Sequence, residues 1–137
     1  MVLLSRKAFP QRFVRPLALC AAALLPTEAE AVDCNWRGPP FHLTSAGPWP
    51  RATTLKSGQQ CSARLRNFGR NVLRFRNIEL YEAPKNGKVR LHENTRVSYV
   101  SRDGFEGLDQ FTLRICGQEN GVDGCTMIQY SVTVQGR

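Results

Sequence analysis

The chain has 137 residues and a formal net charge of +8, from 19 Lys and Arg against 11 Asp and Glu. This size suits one domain with a single core, and the basic balance calls for acidic partners. Nucleic acid is excluded from that expectation, because the chain has no zinc finger, no helix-turn-helix and none of the aromatic-rich basic strands of single-strand binders.

Residues 1–31 carry the three parts of an export signal in order. Arg6, Lys7, Arg12 and Arg15 form a basic start, residues 17–25 a short apolar core, and Ala29-Glu30-Ala31 the small-x-small pattern read by a signal peptidase. The apolar run falls short of the roughly 20 residues that span a bilayer. It is therefore expected to be removed, leaving a mature chain from Val32, without a transmembrane segment, in the bacterial periplasm or medium. Four of the 19 basic and two of the 11 acidic residues precede that cut, so the remainder keeps a net charge of +6. It also keeps Cys34, Cys61, Cys116 and Cys125, an even set suited to an oxidising compartment. No C-x-x-C pair occurs and neither His42 nor His92 lies near a cysteine, so two disulfides are expected and no metal.

Residues 32–50 form a Pro/Gly-rich N-terminal segment, with four prolines and two glycines after Cys34; no regular element is expected there. Residues 51–137 read as a sheet domain. Short strands are expected on either side of a Ser57-Gly58 turn, and a strand rich in branched and aromatic residues follows over 72–81. Its phase changes part way, since Leu73 and Phe75 share one parity and Ile78 and Leu80 the other. A bulge near Arg76-Asn77 reconciles them. Asn86-Gly87 is a favourable hairpin pair, and strands follow at 88–91 and 97–100.

The last third is the most regular. Phe111, Leu113 and Ile115 alternate with polar neighbours, as do Ile128, Tyr130, Val132 and Val134, which is the mark of half-buried strands. Residues 117–124 read as a polar loop between them. Counted from these inward residues, Cys116 and Cys125 both fall on the outward phase at the mouth of one hairpin. That pairs Cys116 with Cys125 and, by elimination, Cys34 with Cys61. No apolar pattern recurs at helical spacing, so the expectation is an all-β sandwich.

Two stretches narrow that fold. Ala83-Pro84-Lys85-Asn86-Gly87-Lys88-Val89 gives a P-x-x-G-x-V turn and strand. Val97-Ser98-Tyr99-Val100, then Phe105-Glu106-Gly107-Leu108-Asp109-Gln110-Phe111, gives a strand around Tyr followed by F-x-G-x-D-x-F, and Val132-Thr133-Val134 closes the series. Over residues 80–135 the chain resembles bacterial Ig-like, cadherin-like domains of the tandem-repeat adhesin type, here in single copy. The resemblance implies an Ig-like antiparallel β-sandwich whose usual roles are spacing and partner binding.

The residues themselves point to binding. No G-x-S-x-G or H-E-x-x-H motif gives either histidine a defined role, so no enzyme and no cofactor is expected. Asp103, Glu106 and Asp109 lie close together but lack the EF-hand spacing; Asp109 is instead expected to accept loop N–H donors. Arg64, Arg66, Arg70, Arg74 and Arg76 fall within thirteen residues, on either side of a turn at 67–71. If that turn makes a hairpin, four guanidinium forks project from one face, suited to an anionic envelope glycan, a lipid headgroup or an acidic protein. The alternative is a structural accessory subunit of an envelope complex, docking through Trp36, Phe41 and Trp49.

Overall fold

The computed structural model describes residues 31–66, 71–93 and 95–137; the expected export signal, save for Ala31, lies outside the described residues. Among them every regular element is a strand: β1 Val32–Asp33, β2 Trp49–Lys56, β3 Gln60–Arg64, β4 Leu73–Glu82, β5 Gly87–Leu91, β6 Arg96–Ser101, β7 Gly107–Glu119 and β8 Val122–Gln135. They form two four-stranded sheets of order β1-β3-β6-β5 and β2-β8-β7-β4. Strand β2 runs parallel to β8 and crosses the 50/51 junction between the two expected segments. No helix among the described residues is long and apolar enough to cross a membrane.

The β7–β8 hairpin is the spine of the second sheet. All the residues expected to face inward do so: Phe111, Leu113, Ile115, Ile128, Tyr130, Val132 and Val134 are buried. Each large apolar side chain buried in this way contributes about 1.5–3 kcal/mol. The polar loop expected at residues 117–124 is instead an extension of both strands, closed by the two residues Asn120 and Gly121. Both have positive φ, 49° and 82°, the combination that a tight hairpin needs to match the twist of its strands. Polar composition had masked the ladder, because the outward face of this extension meets solvent on one side.

Cys116 stands opposite Cys125 in this ladder and is bonded to it, and Cys34 is bonded to Cys61. The phase change in β4 is also present as a bulge between Phe75 and Asn77. Asn86-Gly87, however, does not close a hairpin between paired strands. Strands β4 and β5 belong to different sheets, so residues 83–86 are a crossover.

That crossover is clamped by Asp109. Its buried carboxylate accepts hydrogen bonds from the N–H groups of Lys85 (3.0 Å) and Asn86 (3.1 Å) and from the Tyr99 hydroxyl (2.8 Å). Tyr99 belongs to the first sheet and Asp109 to the second, so one carboxylate joins both layers and the loop between them. Burial, reinforced by Asp109, pushes the Tyr99 phenol above its usual 10.0. Phe111 stacks on Tyr99 from one side and on Tyr130 from the other, at 5.8 and 4.7 Å between centroids.

Candidate anion-binding site

Strand β2 alternates as the pleat dictates, and Trp49, Arg51, Thr53 and Leu55 share its inward phase. A guanidinium therefore occupies a core-facing slot: Arg51 is only 6% exposed. Its neighbour in register on β8 is Tyr130. The N-terminal segment covers it, through paired main-chain hydrogen bonds of 2.9 Å between Arg37 and Ala52. Gly38 is required by this closeness, since a Cβ there would lie 2.2 Å from the Pro50 carbonyl and 2.7 Å from Arg51 Nη1.

Arg51 Cζ sits 5.9 Å from the centre of the Phe41 ring, yet Nη2 has no hydrogen-bond partner among the described residues. Burial draws the Arg51 pKa below its ordinary value, with Tyr130 acting in the opposite sense; the group stays cationic in any physiological buffer. Leaving a buried donor unmatched costs about 1–3 kcal/mol, more when it is charged. The aromatic face offsets about 0.5–2 kcal/mol of this.

Arg51 lines a cavity of about 240 Å³ together with Asp33, Asn35, Trp36, Arg64, Arg66 and Arg96. Arg64 on β3 stands directly opposite Arg96 on β6, and Arg96 Nη1 donates to Ser62 Oγ at 2.9 Å. Among the described residues the lining brings together four guanidinium groups and the carboxylate of Asp33, whose Oδ1 accepts the Asn35 N–H at 3.0 Å. An anion entering this cavity would find fork-shaped donors already placed.

The five arginines singled out in the sequence do not form one strip. Strand β3 pairs with β6 and β4 pairs with β7, so β3 and β4 lie in different sheets and do not pair as the expected hairpin. Arg64 and Arg66 reach the cavity. Arg74 and Arg76 stand exposed on the opposite sheet, where Arg76 pairs with Asp123 at 3.0 Å; Arg70 lies outside the described residues. Sequence reasoning missed Arg51 and Arg96. Counting back from Leu55 in steps of two would have placed Arg51 inward.

The three aromatic residues spend most of their surface inside. Phe41 is 1% exposed and stacks on Phe75 at 6.3 Å. Trp36 is half-buried, edge-on to Tyr130 and Phe111 at 4.7 and 6.0 Å. Trp49, also half-buried, donates its Nε1–H to Thr126 Oγ1 at 3.0 Å.

The histidines serve other polar clusters. His42 Nδ1 is 2.7 Å from Glu119 Oε1, and the same buried carboxylate accepts Leu43 N–H at 2.9 Å and the Asn71 side-chain amide at 2.5 Å. Burial by itself raises the Glu119 pKa, but the hydrogen bonds from His42, Thr44, Asn71 and Leu43 outweigh it and hold the carboxyl below its usual 4.5. His92 Nε2 lies 3.0 Å from Ser98 Oγ, a hydroxyl too buried, at 4% exposure, to meet a substrate. Among the described residues no group of three or more His, Cys, Asp or Glu could hold a metal ion.

No family model matches this chain, and no curated protein matches it. Among solved structures, it is similar to a variant of an endo-fucoidan hydrolase from glycoside hydrolase family 107, at 14% identity and a TM-score of 0.42. The match covers 66% of this chain but 13% of that one, so the chain spans a small part of the enzyme's length.

Proposed function

We propose that the chain is an exported, non-enzymatic binding domain, an Ig-like sandwich of the bacterial cadherin-like kind, which recognises an anionic envelope component or acidic protein surface through the cavity at Arg51. The observation that carries this reading is the unpartnered Nη2 of a guanidinium only 6% exposed. A carboxylate, sulfate or phosphate group entering the cavity would meet the guanidinium groups of Arg51, Arg64, Arg66 and Arg96 that line it. Export is supported by the leader of residues 1–31 and by the two disulfides, which persist in oxidising compartments.

The test is retention of the full chain on three anionic matrices, namely polygalacturonate, phosphatidylglycerol vesicles and polyglutamate, beside neutral dextran. Wild-type protein is expected to be held on at least one anionic matrix at about 0.05 M salt and released at about 0.5 M. Arg51→Met should elute earlier from that matrix, its folding verified by amide dispersion. Co-elution of Arg51→Met with wild type on every matrix would refute the site.

A further inference from the structure

Resting on that reading, we infer that the cavity takes one monocarboxylated sugar ring, a hexuronate residue of an acidic glycan, with its carboxylate on Arg51 and its hydroxyls on Asp33 and Asn35. Three observations converge on this class. The first is size. A cavity of about 240 Å³ has room for several water molecules or one small polar ring.

The second is the balance of donors and acceptors. Arginines only donate, whereas the Asp33 carboxylate only accepts and the Asn35 amide does both. A bare phosphate or sulfate would satisfy the arginines but would meet repulsion at Asp33. A glutamate side chain likewise brings an anionic end with no hydroxyl donors. A hexuronate carries a single negative charge and several hydroxyl groups on one rigid frame, so it matches both halves of the lining.

The third is Trp36. Its indole lines the cavity and is held edge-on against Tyr130 and Phe111. The wall is therefore pre-positioned rather than ordered upon binding, which spares the entropy of fixing it. An aromatic side chain beside polar groups in the lining suits the C–H groups of a sugar and offers nothing to a small inorganic anion.

The experiment is a titration of the full chain followed by indole fluorescence and by amide chemical shifts. The titrants are galacturonate, glucuronate, their neutral hexoses, acetate and inorganic phosphate; oligogalacturonate forms a separate arm that distinguishes a free sugar from a glycan residue. At least one uronate should bind about tenfold more tightly than acetate and than its neutral hexose. Asp33→Asn should weaken the uronate and strengthen phosphate, and Arg51→Lys, which keeps the charge but loses the fork, should weaken the uronate. Should Arg51→Lys misfold, Arg64→Gln at an exposed position provides the second variant. Phosphate or acetate binding as tightly as the better of the two uronates would overturn the sugar inference while leaving the anion site standing. If no charged titrant moves the signals of Trp36 or Ala63, the anion site itself falls.

Discussion

Arg64 and Arg96 face each other in register across the β3–β6 ladder. Both line the basic cavity, and the Ser62 hydroxyl accepts from Arg96 at 2.9 Å. Arg74 and Arg76 stand exposed on the other sheet.

The two halves of the arginine cluster should behave differently as a result. Arg64→Ser with Arg66→Ser, both at exposed positions, is expected to reduce retention on anionic matrices while leaving stability within about 0.5 kcal/mol of wild type. Arg74→Ser with Arg76→Ser, on the other sheet, should leave retention close to wild type, and loss of the exposed Arg76–Asp123 pair should cost only about 0–1 kcal/mol. Parallel elution profiles and urea melts of the two double variants check this. Equal losses of retention would mean that overall charge, not the cavity, governs binding.

Gly124 should resist substitution. It lies beneath the N-terminal segment, where an added Cβ would fall 2.2 Å from the Leu43 carbonyl oxygen. Gly124→Ala must push that backbone away from β8, at an expected cost of about 1–3 kcal/mol. Denaturant unfolding measures it, and a wild-type midpoint would show that the segment yields freely.

Stability should fall in acid partly through Glu119. A carboxyl whose folded-state pKa lies below 4.5 stabilises the fold above its unfolded value, and that contribution disappears as pH drops through the folded value. Thermal melts between pH 7 and pH 3 should therefore show Tm declining below about 4.5. Glu119→Gln should flatten part of that decline while lowering Tm at neutral pH. An unchanged acid profile in the variant would exclude the residue as a contributor.

The two disulfides should differ in weight. Cys34–Cys61 closes a separation of 27 residues and Cys116–Cys125 one of 9. In the chain-entropy model these correspond to about 4 and about 3 kcal/mol. Replacing Cys116 and Cys125 by Ser leaves a hairpin still held by its ladder, whereas replacing Cys34 and Cys61 frees a segment with little pairing of its own. Equilibrium unfolding of both variants should rank the second as the more damaged.

What could be read in the sequence was whatever depends on a residue's own strand. Alternation through Phe111, Leu113 and Ile115 placed the inward face of β7, and parity then paired the cysteines. The break in phase around Arg76 located the bulge in the same way. Which strand pairs with which is a different kind of information. A turn signal over residues 67–71 suits a hairpin and a crossover equally well, and the strands on its two sides, β3 and β4, lie in different sheets, which divides Arg64 from Arg74 and Arg76. Arg51 was hidden by Pro50, which reads as a breaker. Strand β2 tolerates that proline because it is an edge strand, where a missing N–H need not interrupt a ladder on both sides.

The Cys34–Cys61 bond has a consequence in time as well as in energy. Asp33, Asn35 and Trp36 flank one of its cysteines, and Ala63 and Arg64 follow closely after the other, so one covalent link joins two segments of the cavity lining beside the short β1–β3 pairing. On the reading that the chain is exported, it crosses the cytoplasm with these thiols reduced. The two segments then have the β1–β3 pairing and the Arg37–Ala52 hydrogen bonds but not the covalent link, which oxidation adds on the far side of the membrane. A fully fixed lining would then be present after delivery, in the compartment where, on the same reading, acidic ligands reside.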